Sequence, residues 1–229
     1  MNQPSSDSVQ AAKPAGYFGE TRGEMLAFLP DQYERVLEVG CGEGRFARQL
    51  RQGSEIWGIE PDAGAAQEAA TFMNRTLVGL FDDVCTELPE GYFDLVICND
   101  VVEHMTDHDK FFRDIQKFLR PAGALVVSVP NIRHISVMKE ILFKADFQYQ
   151  DEGILDRTHF RFFTLRSLRR SVEGAGFQIE KFHGINPMKK PWRLSSKRLL
   201  FWLFVVLSFG RWTDMRFLQI GFRARTPGR

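Results

Sequence analysis

The chain has 229 residues, of which 44% are hydrophobic and 26% are charged, and its formal net charge is +1 at pH 7. These values are ordinary for a globular protein with one sizeable core, and they exclude an intrinsically disordered chain. The cysteines lack metal-ligand spacing, so we predict reduced thiols and no metal site. They are Cys41, Cys85 and Cys98.

The N-terminal segment 1–16 lacks the apolar core of a secretory signal or a membrane anchor. We therefore expect it to be a disordered lead-in. A single domain is predicted over 17–229, and its first helix is predicted near Glu20–Phe28.

An apolar strand, three glycines and an amphipathic pattern follow one another in the segment Val36–Leu50, which reads VLEVGCGEGRFARQL. Gly40, Gly42 and Gly44 allow a tight turn and a close approach of the backbone to a ligand, and a helix is expected after them. A dinucleotide-binding fingerprint would need its third glycine at position 45, which is an arginine. Glu38 precedes the first glycine by two residues, and a cationic ligand suits this carboxylate better than a pyrophosphate.

This E-x-G-x-G-x-G pattern resembles motif I of the class I S-adenosylmethionine-dependent methyltransferases. The resemblance implies S-adenosylmethionine as the cofactor, with Glu38 near its amino-acid end and the loop Gly40, Cys41, Gly42 and Gly44 around it. The alternation of strands and helices predicts an α/β fold. The expected architecture is a Rossmann-like, seven-stranded, mostly parallel sheet with helices on both faces, which is a three-layer sandwich.

Acids at the ends of the next strands extend the resemblance. Glu60 ends the second strand, is followed by Pro61, and can accept hydrogen bonds from both ribose hydroxyls. The resemblance implies that Asp83 meets the adenine amino group and that Val84 packs on the ring, although Asp82 could take the polar role instead. Asn99, after the fourth strand, is implied to approach the methionine end of the cofactor.

Further elements are predicted from apolar periodicity. Helices are expected over about Asp62–Ala70, Asp107–Leu119 and Leu165–Ala175. Strands are expected at Phe93–Cys98, Ala124–Pro130, Phe177–Phe182 and Leu218–Ala224.

The segment 131–164 interrupts this alternation, and we predict that it is an insertion that covers the substrate. Its run Gly153–Thr164, GILDRTHFRFFT, resembles a subgroup of bacterial methyltransferases associated with surface-polysaccharide and other glycan pathways. Arg157 and Arg161 are predicted to bind an anionic substrate, or alternatively to pair with Asp156.

Methyl transfer to a hydroxyl requires that the hydroxyl lose its proton, and histidine is the natural acceptor near neutral pH. His104 follows the fourth strand and His159 lies in the insertion, so both are candidate bases at the mouth of the cofactor cleft. The alternative for His104 is a role in fixing its loop, and for His159 a hydrogen bond that anchors the insertion. His108 is expected to be a solvated residue of a first helical turn.

The C-terminal part is basic, because residues 185–229 hold ten Lys or Arg and one acid. A second insertion is predicted at 186–214, and within it lies the apolar run Leu199–Phe209. Eleven residues are too few to span a bilayer, which needs about 20. Three interpretations remain: a core helix, a homodimer surface, or contact of 189–212 with an anionic membrane surface.

These patterns predict a cytoplasmic S-adenosylmethionine-dependent O-methyltransferase. If 189–212 contacts a membrane, the protein is expected to be peripheral, at the inner face of the cell membrane. The expected acceptor is a sugar or another small hydroxylated molecule, and membrane contact would favour a lipid-linked acceptor. The alternative is a non-catalytic cofactor-binding or scaffold protein that retains the fold. Nucleic acid is disfavoured as a partner, because the aromatic residues of the basic region are not interleaved with its cations.

Overall fold

The protein is described by a computed structural model that covers residues 21–188 and 211–227. The predicted lead-in 1–16 and the apolar run Leu199–Phe209 lie outside the described residues, and so does most of the predicted insertion 186–214. Within the described ranges, no helix combines the length and the apolar character needed to cross a membrane.

Seven strands form one sheet. They are β1 (Arg35–Val39), β2 (Glu55–Glu60), β3 (Arg75–Val78), β4 (Phe93–Asn99), β5 (Leu119–Pro130), β6 (Gln178–Pro187) and β7 (Phe217–Arg225). Their spatial order is β3, β2, β1, β4, β5, β7, β6. Pairing is parallel from β3 across to β5, and β7 is antiparallel to both of its neighbours. The predicted α/β class with a mostly parallel seven-stranded sheet is confirmed.

The two faces of this sheet are both buried, as parallel pairing requires. Along β1, Leu37 and Val39 belong to one apolar cluster while Val36 belongs to a second. Because successive side chains of a strand point to opposite faces, the two clusters lie on opposite sides of the sheet. The molecule therefore has three layers.

In the described parts of the chain, five α-helices connect the strands. They are α1 (Ala63–Ala69), α2 (Phe81–Val84), α3 (His108–Ile115), α4 (Ile135–Lys144) and α5 (Leu165–Gly174). Several of these helices start at a residue whose side chain caps them, because the first N–H groups of a helix lack backbone partners. The Asp62 carboxylate accepts from the Ala65 N–H at 2.8 Å, and Thr164 forms a capping box with Ser167 at the start of α5.

Two predicted helices are shorter and tighter than expected. The helix predicted after the glycines is only a 3₁₀ turn, Ala47–Gln49, and the N-terminal helix is a 3₁₀ helix, Gly23–Phe28. Few residues separate the glycine loop from the turn at Gly53, and so short a segment gains little from helical cooperativity. The helix predicted to Leu119 ends at Ile115 instead, since Leu119 already pairs with β4.

The insertion at 131–164 contains α4, which no sequence pattern predicted. It has a small apolar core of its own, formed by Val137, Ile154 and Leu155. Its base is tied to the C-terminal part of the chain, because the Asn131 side-chain amide donates to the Asp214 and Phe217 carbonyls at 2.9 and 3.0 Å.

A matched pair of substitutions tests the placement of the core. Leu125 on β5 is fully buried, whereas the Leu142 side chain on α4 is 68% exposed. We expect Leu125→Ala to lower the free energy of unfolding by about 3 kcal/mol through lost burial and a cavity. Leu142→Ala should change it by less than about 0.5 kcal/mol. Urea denaturation measures both values, and equal losses would contradict this assignment of the core.

Candidate functional site

The site lies where three neighbouring parallel strands end. Strands β1, β2 and β4 finish at the same edge of the sheet, at Val39, Glu60 and Asn99. The chain continues from β1 to β2 on one side and pairs with β4 on the other, which makes this edge a topological switch point. Open α/β sheets bind their ligands in the crevice at such a point.

The glycine loop after β1 cannot accept side chains at two of its positions. Gly40 and Gly44 have φ angles of 71° and 72°, a region that disfavours residues with a Cβ. A Cβ at Gly40 would overlap the Val101 side chain, and one at Gly44 would overlap the Phe72 ring. The loop is therefore packed between the segment after β4 and the segment after α1.

Hydrogen bonds hold the same loop against the end of β2. The N–H groups of Gly40 and Cys41 donate to the Ile59 carbonyl at 2.8 and 3.1 Å. The Gly42 N–H donates to Oε2 of Glu60 at 2.8 Å. The second carboxylate oxygen of Glu60 accepts from the Asp62 N–H at 3.0 Å, across Pro61. Glu60 is thus fixed between the glycine loop and the start of α1.

Glu38 is a buried carboxyl next to this loop, with an exposed fraction of 3%. Burial, and secondarily the negative charge of Glu60, raise its pKa to about 8. Its Oε2 has no hydrogen-bond partner among the described residues. A buried carboxylate in this state favours a cationic ligand, which is the property predicted for the amino-acid end of the cofactor.

The thiol of Cys41 stays protonated in this environment. Burial raises its pKa above the ordinary value, and the charges of Glu38 and Glu60 raise it further. Since only a thiolate is an effective nucleophile, Cys41 contributes its backbone and its volume to the loop and no reactive sulfur.

The structure separates the two candidate acids near α2. Asp82 pairs with the Lys110 ammonium at 2.6 Å, whereas the Asp83 side chain lies beside Gly79, the residue that follows β3. The neighbouring Val84 is buried against Gly79. Asp83 and Val84 are therefore at the edge of the crevice, with Asp82 engaged elsewhere.

A polar network surrounds the end of β4, and the sequence patterns did not predict it. The Ser128 hydroxyl lies 3.5 Å from Oδ1 of Asn99, while Nδ2 of Asn99 has no partner within the described part of the chain. Asp100, in a left-handed conformation, pairs with Arg22 and accepts from the Gln219 amide at 2.9 Å. Asn99 therefore keeps a buried amide N–H₂ without a described partner at the end of β4, on a backbone that its neighbour fixes.

His104 and His159 are brought together from distant parts of the sequence. Their ring centroids are 4.7 Å apart in an edge-to-face arrangement. His159 is buried and its Nδ1 lies 3.0 Å from the Ile154 carbonyl. Nδ1 of His104 lies 3.1 Å from the Thr158 carbonyl. Both roles considered from the sequence, anchoring and proton transfer, are compatible with these contacts.

Arg157 and Arg161, the arginines predicted to bind an anionic substrate, are exposed, and each has a partner other than Asp156. Arg157 forms an ion pair with Asp151 at 2.6 Å, and Arg161 donates to the Thr106 carbonyl. Asp156 instead accepts from the Thr158 N–H and hydroxyl, both at 2.7 Å.

The expectation of a solvated His108 was wrong. Its ring is half-buried against Phe163, at a centroid separation of 5.0 Å, and its Nε2 lies 3.1 Å from the Ser171 hydroxyl. Burial lowers its pKa, so at neutral pH it is an uncharged link between α3 and α5.

A glycine loop and two buried acids at a switch point define a site for a ligand with ribose hydroxyls and a cationic group. Residues 16–181 match the family described as "Methyltransferase domain". Because this match spans more than half of the chain, the chain belongs to that family. The predicted enzyme class and its cofactor, S-adenosylmethionine, are confirmed.

Curated relatives and solved structures agree with this family. A protein named "Ubiquinone biosynthesis O-methyltransferase" from Rhodopseudomonas palustris is 27% identical over 170 residues, which cover 70% of this chain and 66% of that protein. The chain thus spans about two thirds of the length of that relative. A SAM-dependent methyltransferase from Archaeoglobus fulgidus shares the fold with a TM-score of 0.66 at 16% identity, covering 89% of this chain and 90% of that one.

The same fold also carries a different activity. The crystal structure of a [4+2]-cyclase matches with a TM-score of 0.55 at 19% identity, covering 87% of this chain and 77% of the cyclase. The fold by itself therefore does not define the reaction, and the chemistry has to be argued from the site.

Proton release on cofactor binding tests the role of Glu38. With a pKa of about 8, this carboxyl is mostly protonated at pH 7. A cationic group beside it favours the ionised form, so binding should expel that proton. We expect calorimetry of S-adenosylhomocysteine binding, in buffers of different ionisation enthalpy, to show net proton release by the wild type.

Two variants provide the comparison for this measurement. Glu38→Gln should release almost no proton, whereas Glu34→Gln, which changes an exposed acid just before β1, should behave as the wild type does. Equal proton release by Glu38→Gln and the wild type would rule out Glu38 as the source of the proton.

Proposed function

We propose that this protein transfers the methyl group of S-adenosylmethionine to a hydroxyl oxygen of a small acceptor. The observation that carries the proposal is the pair of neighbouring imidazoles, His104 and His159, held at the segment that packs against the glycine loop. Val101 contacts the position of Gly40 and is followed within three residues by His104. The acceptor side of the site therefore begins directly beside the cofactor loop.

The residues around the crevice fit the parts of the cofactor. In this proposal Glu38 binds the ammonium group, Glu60 accepts from the ribose hydroxyls, and Asn99 contacts the methionine end. Asp83 and Val84 take the adenine. Gly40, Cys41, Gly42, Gly44 and Pro61 line the pocket with backbone atoms. The fit rests on the unpartnered buried oxygen of Glu38 and on the glycine loop packed beside it.

When bound, the cofactor supplies an electrophilic methyl group whose bond to sulfur breaks as a bond to the acceptor oxygen forms. The protein has to hold the acceptor in line and take up its hydroxyl proton. Nδ1 of each imidazole faces a carbonyl oxygen, which can only accept, so Nδ1 is the donor in each ring. In the neutral form of either ring, Nε2 then carries the lone pair that a base needs.

An aromatic hydroxyl is the acceptor that best suits the insertion. Aromatic rings gather beside His159: Phe162 lies 6.4 Å from its ring, and Phe147 and Tyr149 lie 5.7 and 6.3 Å from Phe162. Such a cluster can stack on a planar acceptor. The name of the Rhodopseudomonas palustris relative, with its reference to ubiquinone biosynthesis, points to the same chemical class.

A sugar hydroxyl is the second candidate, and the run Gly153–Thr164 favours it through the glycan-associated subgroup that it resembles. Exposed Arg157 and Arg161 suit an anionic group on either acceptor. The cations that flank Leu199–Phe209 in the sequence suit a lipid-linked acceptor at an anionic membrane surface.

A panel of acceptors tests this function. We expect the purified protein to transfer labelled methyl from S-adenosylmethionine to a catechol that carries an apolar chain, with one S-adenosylhomocysteine formed per methyl ether. Transfer to a sugar nucleotide or a lipid-linked sugar, and not to the catechol, would select the second candidate. Cofactor binding without transfer to any hydroxylated acceptor would instead favour the non-catalytic alternative.

A pair of substitutions separates cofactor binding from catalysis. Gly42→Arg should abolish cofactor binding, because it fills the loop at a position with a φ of 52° whose N–H donates to Glu60. His159→Ala should leave the cofactor dissociation constant within about threefold and slow methyl transfer by about 10²- to 10⁴-fold. Calorimetry and the transfer assay give the two quantities.

His183→Ala is the matched control for this experiment, because His183 lies on β6 and outside the crevice. It should change neither quantity. Equal loss of cofactor affinity in Gly42→Arg and His159→Ala would overturn the proposed division of roles.

A further inference from the structure

We propose that Glu103, His104 and His159 form a binding site for one divalent metal ion. One ligand atom from each residue can be chosen so that all three atoms lie within 4.8 Å of one another. The site goes beyond the proposed methyl transfer, and only its catalytic role rests on that function. Cysteine spacing predicted no metal site, and the ligands proposed here come instead from two segments more than fifty residues apart in the chain.

The orientation of both imidazoles is what a metal site requires. Histidine ligands in proteins usually donate the N–H of the ring nitrogen that does not bind the metal to a carbonyl or a carboxylate. His159 does so through Nδ1 to the Ile154 carbonyl, and His104 through Nδ1 to the Thr158 carbonyl. In their neutral forms both rings therefore carry the lone pair on Nε2, which is the nitrogen that would bind a metal.

The contact of His104 continues into the insertion. Its Nδ1 is also 3.2 Å from the Thr158 hydroxyl, and that hydroxyl donates to the Asp156 carboxylate at 2.7 Å. A carboxylate at the end of such a chain makes the imidazole a better electron donor. The segment 156–159 thus supplies His159 as one ligand and orients His104, the other imidazole ligand.

The backbone keeps the three ligands in place. The Glu103 carbonyl accepts from the N–H groups of Phe160 and Arg161, at 2.9 and 3.0 Å. These two hydrogen bonds join the segment after β4 to the two residues that follow His159. Glu103 is 1% exposed and His159 is 8% exposed, so the site is sheltered from solvent. Tetrahedral coordination with bonds of about 2.1 Å would separate the ligand atoms by about 3.4 Å, which small side-chain rotations can reach.

The donor set indicates which ions fit. Two imidazole nitrogens and one carboxylate oxygen suit Zn²⁺, Fe²⁺, Co²⁺ or Mn²⁺, whereas Mg²⁺ and Ca²⁺ favour sites made of oxygen ligands. Three protein ligands leave at least one coordination position for another group. This is the pattern of catalytic sites, since structural zinc sites use four protein ligands.

In the proposed methyl transfer, the open position would take the acceptor hydroxyl. Coordination lowers the pKa of that hydroxyl, as it does for metal-bound water, and the proton passes to a solvent water molecule. The resulting oxygen forms its bond to the methyl carbon while the bond from that carbon to sulfur breaks. With the ion bound, the imidazoles serve as its ligands, and this role replaces the base role proposed for the metal-free site.

Titration with Co²⁺ tests the site by a readout that does not depend on activity. Metal-free protein, prepared with a chelator, should bind one equivalent of Co²⁺ and show the visible absorption bands of low-symmetry coordination. We expect His159→Ala to weaken binding by at least about 100-fold and Glu103→Gln by about 10- to 100-fold. His183→Ala should bind as the wild type does.

Calorimetry with S-adenosylhomocysteine shows whether each variant is folded, because none of the three ligands is assigned to the cofactor. If Glu103→Gln fails to fold, the comparison of Co²⁺ binding by His159→Ala and by His183→Ala still tests the site. No saturable Co²⁺ binding by the wild type, or equal binding by His159→Ala, would overturn the proposal.

Failure of the metal site and failure of the proposed function give different results. Full methyl transfer by metal-free protein would remove the catalytic role of the ion and leave the methyltransferase function intact. One equivalent of Co²⁺ bound through His159, without transfer to any acceptor, would establish the site and leave the function without support.

Discussion

The burial of two carboxyl groups at one edge of the sheet is the constraint on which the rest of the site depends. Glu38 and Glu60 end neighbouring strands, and both are almost fully buried. Glu60 is stabilised by the N–H groups of Gly42 and Asp62, whereas burial, and secondarily the charge of Glu60, raises the pKa of Glu38 to about 8. In the proposed function, a cation beside Glu38 favours its ionisation, which would couple cofactor recognition to the architecture of the strand ends.

That coupling explains why the glycine loop is so closely packed. The N–H that satisfies Glu60 comes from Gly42. The loop can bring this N–H to Glu60 only because Gly40 and Gly44 have no side chains, and the space that side chains would need is taken by Val101 and Phe72. The segment after β4 is thus held directly against the cofactor loop. Because Glu103 and His104 follow in the same segment, the geometry of the acceptor side depends on the geometry of the cofactor side.

Local sequence patterns predicted where the glycine loop and its two acids lie along the strands, and they missed the contacts of the acceptor side. Glu38, the glycines and Glu60 lie in short motifs, where residue spacing alone fixes the relation of strand and turn. The strand positions and the capped helices α1 and α5 follow from similarly local signals. The meeting of His104 with His159 depends instead on two backbone bonds from the insertion to Glu103, which no local period encodes. The network of Arg22, Asp100 and Gln219 is equally non-local, since its members lie up to 197 residues apart.

The insertion is where this chain can differ chemically from other proteins of its fold. Methyltransferases share this fold with a cyclase, so the sheet alone does not define the chemistry. The acceptor chemistry must therefore reside in the residues that cover the crevice. In this chain those residues bring two imidazoles and a buried carboxylate together, with one ligand atom of each within 4.8 Å of the others. Proton transfer needs only one such ring, so the meeting of both rings with the carboxylate is the feature that the proposed metal ion explains.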